Sequence, residues 1–110
     1  MIIASRILKL RQRDGDADIA VRIYAPRSDG VDWTCAYEID WPDRTRKGHA
    51  GGLDAVQALF HALQMIGIEI YTSEYHEAGV LSWDKPGQGY GFPVTANARD
   101  LLIGDDAKYY

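Results

Sequence analysis

A chain of 110 residues, 46% apolar and 25% charged, has the length and balance of one globular domain spanning residues 1–110. Its net charge of −4 argues against a dedicated nucleic-acid binder, which concentrates basic charge on one surface, so no nucleic-acid partner is expected. The single cysteine, Cys35, has no internal disulfide partner, Arg6 and Lys9 interrupt any signal-peptide run, and no window approaches the roughly 20 apolar residues of a membrane span. The expectation is a cytoplasmic protein with no membrane partner.

The N-terminal segment alternates with period two. Ile2, Ala4, Leu8 and Leu10 fall on one side of an extended run and Ser5, Lys9 and Arg11 on the other, with Arg6 and Ile7 out of pattern. Asp14-Gly15 is a hairpin signal leading into a second strand whose inward set is Ile19, Val21 and Ile23. Pro26, Ser28, Asp29 and Gly30 make the next turn. The third strand, WTCAYEIDW, is the clearest: Trp33, Cys35, Tyr37, Ile39 and Trp41 share one face. The glycines and charges of RTRKGHAGG weaken its reading as a short fourth strand.

Helical spacing follows. Leu53, Val56, Leu59, Phe60, Leu63, Ile66 and Ile70 recur as a buried stripe, with Gly52 placed as N-cap and Asp54 in the first turn, where it suits the positive end of the helix dipole. Gly67 costs the helix roughly 1 kcal/mol against Ala and is read as allowing close approach to the sheet. Residues 68–73 read either as a continuation of the helix or as a strand. VLSWD reads as a later strand, ANARDLLIG as a short helical turn, and DDAKYY as a frayed tail. The expected fold class is α+β: a three-strand antiparallel meander, one or two later strands, and one long helix across the aromatic face. In that arrangement Trp33, Tyr37, Ile39, Val56, Phe60 and Leu63 share one core, and Phe60→Ala costs about 3–5 kcal/mol.

The chemistry is sparse. In WDKPGQGYGFPV, Gly87, Gly89 and Gly91 are spaced G-x-G-x-G, and Phe92-Pro93 stands where a phosphate-binding loop would open a helix. A tight turn or bulged edge is the simpler reading, with Tyr90 and Phe92 available to a ligand or partner. DGDAD fails the EF-hand pattern at its sixth and twelfth positions, Ile19 and Ala25. His49, His61 and His76 lack metal-site spacing, no nucleophile elbow occurs, and neither metal nor cofactor is expected. Two clusters stand as candidate binding sites: Arg44, Arg46 and Lys47 in a loop ahead of the helix, and Glu74 with His76 in SEYHE.

YEIDWP, GLDAVQALFHALQMIG, IYTSEYH and LSWDKPGQGYGFPV together resemble an uncharacterised family of small bacterial domains, a likeness that implies no activity and no site residues. Asp40 to Pro42 followed by AGGLDAVQAL is similar to HicB-type antitoxins, although the Asp-Leu-Pro-Gly run and the helix-turn-helix of that family are missing. The expected function is a non-enzymatic protein-interaction module of antitoxin or immunity type, with a protein partner and, through an exposed strand edge, a second copy as candidate contacts. The alternative is a small-molecule-binding or hydrolase-like domain using Glu74, His76 and the Gly87–Phe92 segment. A deep pocket joining Tyr71, Glu74, His76 and Tyr90 would favour that alternative.

Overall fold

The computed structural model describes residues 1–110. Alternation becomes a six-stranded antiparallel sheet: β1 (Ile2–Gln12), β2 (Gly15–Tyr24), β3 (Arg27–Ser28), β4 (Trp33–Trp41), β5 (Arg44–Gly52) and β6 (Leu81–Ser82). Helices α1 (Ala55–Tyr71), α2 (Glu74–Glu77) and α3 (Gly104–Tyr109), with a 3₁₀ helix over Ala96–Leu101, complete an α+β fold. β5 runs the whole length of β4, from Trp33 opposite Gly52 to Trp41 opposite Arg44, so β2 and β3 share the other edge of β4. β6 adds two residues to the outer edge of β1, opposite Lys9 and Leu10.

One face of the sheet is buried. Leu8 and Leu10 of β1, Ile19, Val21 and Ile23 of β2, and Cys35, Tyr37, Ile39 and Trp41 of β4 belong to a continuous core of 20 residues that also takes in Ile66, Ile70, Tyr90, Phe92 and Val94. The aromatic residues of β4 go to separate tasks within it. Tyr37 donates its hydroxyl proton to Glu69 of α1, Trp41 stacks on Tyr75 of α2 with ring centroids 5.0 Å apart, and Trp33 is only partly buried. The opposite face is solvated, as suits an antiparallel sheet covered on one side. Arg22 crosses it, bonding Asp40 through both terminal nitrogens at 2.7 and 2.8 Å and Glu38 through Nε at 3.1 Å. That pairing raises the Arg22 guanidinium and holds Asp40 below the usual carboxylate range.

The structure corrects several expectations. RTRKGHAGG is a nine-residue strand and not a loop or a short one. VLSWD contributes only the two residues of β6. Asp54, not Gly52, caps α1: its carboxylate accepts from Gln57 N at 2.8 Å while the Gln57 side chain accepts from Leu53 N at 2.7 Å, a reciprocal box that fixes the helix start. The helix continues to Tyr71, and the tail forms α3.

The largest correction is rotational. α1 turns Ala58, Ala62, Ile66 and Ile70 inward, leaving Leu53 84%, Val56 76% and Phe60 51% exposed. Small side chains win that face because the helix lies almost on β5: a Cβ added at Gly52 would sit 2.4 Å from the Ala58 nitrogen. A stripe of Val56 and Phe60 would hold the helix off the sheet. Phe60→Ala is therefore expected to cost no more than about 1.5 kcal/mol, since only half the ring is removed from water. A urea midpoint close to wild type would show it.

Candidate functional site

The Gly-rich stretch does not run as a strand beyond Ser82. Residues 83–94 form a strap that leaves the edge of β1 and passes between the sheet, α1 and α3. Gly87, Gly89 and Gly91 adopt φ of +79°, +87° and +73°, a region closed to most side chains, so their spacing reflects three left-handed backbone positions and not a phosphate cradle ahead of a helix. At Gly89 a side chain would also strike Asp106, whose Cγ lies 2.3 Å from the added Cβ.

Charges of opposite sign clamp this strap from two sides. The Asp106 carboxylate, 2% exposed, accepts from Tyr90 N through Oδ2 and from Gly91 N through Oδ1, both at 2.8 Å. Its Oδ2 also accepts from the Tyr71 hydroxyl at 2.6 Å. Across the strap, Arg6 Nη1 donates to the carbonyls of the same two residues, Tyr90 at 3.1 Å and Gly91 at 2.8 Å. The anion meets the N–H groups and the cation meets the C=O groups, so the polar backbone of Tyr90 and Gly91 is satisfied without a neighbouring strand. The guanidinium carbon lies 4.0 Å from the Trp83 ring centroid and 4.8 Å from that of Phe92.

Behind the clamp, Tyr71, His76 and Tyr90 meet edge to face, with centroids 4.9 to 5.5 Å apart. Burial and the Asp106 charge push the Tyr90 phenol up to about 12, so it stays protonated; its oxygen shares a hydrogen bond with His76 Nδ1 at 2.5 Å and lies 3.4 Å from the Leu81 carbonyl oxygen. Burial also lowers His76, which favours the neutral imidazole. The sign for stability follows from that depression. Below pH about 6.5 the unfolded chain binds a proton that folded His76 refuses, so stability falls as acid is added through that pH. The loss stops growing once the pH is below the folded value as well. Lowering the pH from 7.5 to 5.5 is expected to reduce the urea midpoint more in the native protein than in His76→Gln.

In front of the clamp lies a groove of about 390 Å³ between β1, β2, α1 and the strap, walled by Ile23, Phe60, Leu63, Phe92 and Pro93 with Arg6 at its side.

The sequence candidates scatter among these places. His76 and Tyr90 are brought together, and Phe92 lies one turn of the strap away against Arg6. Glu74 is exposed in the first turn of α2 and shares no hydrogen bond with His76, so the acid–base pair does not form. Arg44, Arg46 and Lys47 are on a strand, whose alternation puts Lys47 on the face opposite Arg44 and Arg46. Arg46 reaches Glu69 at 2.6 Å on the helix side, Lys47 lies 3.9 Å from Glu38 on the open face, and Arg44 pairs with Asp43 at 2.9 Å. Each is answered by the chain's own acids instead of forming one basic cluster. Arg6 and Asp106 escaped the sequence reading. Arg6 did show one signal, a cation on the apolar side of β1; Asp106 showed none.

With the strap and its clamp in view, the comparison with known families is decisive for kinship: residues 4–94 match the family described as Domain of unknown function (DUF6968). The chain belongs to that family. The DUF6968 span takes in the sheet, α1, α2 and the strap through Val94, and Arg6 within it, while Asp106 on α3 lies beyond its end. No curated protein and no solved structure matches the chain. No helix is long and apolar enough to cross a membrane.

Proposed function

We propose that this protein is a small non-enzymatic interaction module whose contact surface is the outward ridge of α1. The observation that carries the reading is the exposure of Val56 and Phe60 on that helix, at 76% and 51%, and of Leu53 just ahead of its cap, at 84%. Val56 and Phe60, four apart, share one face of the helix and Leu53 stands at its start, and exposed apolar groups of that size suit the core of a protein contact. A partner polypeptide with a matching apolar hollow is the occupant proposed. The packing behind the strap supports a non-catalytic role, because Tyr71 and Tyr90 are 4% and 2% exposed and fill the space beside His76 themselves.

An antitoxin or immunity protein acting in the bacterial cytoplasm is the most concrete form of this reading. The net charge of −4 suits a basic target, and association would then slow as ionic strength rises. Photo-cross-linking in cells tests the proposal. A benzophenone amino acid at Val56 is expected to give one discrete adduct with a different polypeptide, lost in Phe60→Asp, while the same probe at Lys47 on the open sheet face gives none. A smear identical at both positions would reject the ridge, and an adduct of doubled mass would replace the foreign partner by a second copy.

A further inference from the structure

Beyond that contact surface, we propose that the groove beside the strap is a binding site for a small organic carboxylate with a compact apolar body. A volume of about 390 Å³ falls in the range of small-molecule clefts. The walls supplied by Ile23, Phe60, Leu63 and Phe92 ask for an apolar ligand, and Arg6 is the one charged residue lining the groove.

The state of Arg6 decides the ligand's charge. Its hydrogen bonds go from Nη1 alone to two neutral carbonyls and it forms no contact ion pair; Asp106 attracts it only from across the strap. Asp106, the carboxylate across the strap, has its oxygens taken by Tyr71, Tyr90 and Gly91. Nε and Nη2 of Arg6 bond nothing in the chain, yet no fully buried side-chain nitrogen or oxygen lacks a partner, so these donors keep some exposure to solvent. A guanidinium pinned at 4.0 Å from Trp83 and 4.8 Å from Phe92 is already ordered before a ligand arrives. Its planar fork matches one carboxylate. A single cation among apolar walls selects a monoanion over a polyanion.

Titration of the isotope-labelled protein with 3-phenylpropionate, and in parallel with uncharged 3-phenylpropionamide, tests the site by NMR. The acid is expected to give saturable shifts at Arg6 Nε–H and at the methyls of Ile23 and Leu63. The amide is expected to bind about tenfold more weakly, the difference made by a charge-assisted pair. Phe60→Ser should weaken the acid while barely changing the melting temperature. Equal binding of acid and amide, shifts confined to other surfaces, or no saturation by roughly 10 mM would each overturn the proposal. A phenylalanine-ended peptide binding ten times more tightly than the free acid would overturn it in favour of a chain terminus. Leu53→Asp separates this site from the ridge: it should abolish the cross-link from the probe at Val56 and leave the titration unchanged, since Leu53 does not line the groove.

Discussion

Asp106→Ala is expected to destabilise the fold by about 3–4 kcal/mol, a drop in melting temperature of roughly 15–25 °C for a chain of this size. The carboxylate accepts the Tyr71 hydroxyl and the backbone N–H groups of Tyr90 and Gly91, and Tyr71 and Tyr90 are both buried residues. Alanine leaves all three donors without their partner, two of them, the Tyr71 hydroxyl and the Tyr90 N–H, in buried bonds. Leaving a buried donor unmade costs about 1–3 kcal/mol, more than the bond contributes when formed, and here several are orphaned at once. Against this stands the gain from no longer burying a charge, which tempers the total and keeps it below the simple sum. Asp106→Asn should be milder. Its oxygen can replace Oδ2 and keep Tyr71 and Tyr90, while its NH₂ then faces the Gly91 N–H, donor against donor. Urea midpoints should rank native above Asn above Ala, and exchange of the Tyr90 and Gly91 amides should quicken in the same order. Equal midpoints for Asn and Ala would mean that the shape of the side chain matters and its acceptors do not.

The sheet was legible where alternation carries bulk. β4 reads plainly because Trp33, Cys35, Tyr37, Ile39 and Trp41 mark one face with large or apolar groups. β5 lies beside it and reads as a loop because its inward residues are Gly48, Ala50 and Gly52, opposite Tyr37, Cys35 and Trp33. Those residues are small by necessity. A Cβ at Gly48 would lie 2.4 Å from the Tyr37 ring, and one at Gly52 would meet the backbone of α1. Period two is present in β5, but its apolar amplitude has been given up to let the helix approach.

The same trade misleads on α1. Periodicity located the helix correctly, yet ranking its faces by side-chain size chose Val56 and Phe60 over Ala58 and Ala62. Close packing rewards fit to the partner surface, and an alanine face fits a helix lying against a strand of glycine and alanine. The candidate site was harder still. Tyr90 and Phe92 were visible as aromatics among glycines, but the clamp pairs a side chain from β1 with one from α3 through backbone groups of a strap 84 residues from the first. Backbone partners leave no mark in the side-chain pattern. A lone aspartate in an acidic tail looks like solvent-exposed charge until its environment is known.

Gly67→Ala carries the second large effect, and local propensity gives it the wrong sign. In an isolated helix the substitution would stabilise by about 1 kcal/mol. In this fold the added Cβ would stand 1.9 Å from the carbonyl oxygen of Pro93 and 3.2 Å from a methyl of Val94. The strap crosses α1 at this point, so Gly67 provides close approach to the strap and not, as its sequence context suggests, to the sheet. The obstacle is backbone held by the clamp at Tyr90 and Gly91 only two residues earlier, so it cannot yield as a flexible side chain would. Overpacking of that kind costs about 1–3 kcal/mol, and the upper part of that range outweighs the propensity gain, giving a net loss of about 2 kcal/mol. Denaturant unfolding measures it directly, and a variant more stable than native would show that the strap does not lie on the helix there. The two substitutions also test each other. Asp106→Ala already loosens the strap, so adding Gly67→Ala should cost less than it does alone, whereas strictly additive losses would place the clamp and the crossing in independent parts of the fold.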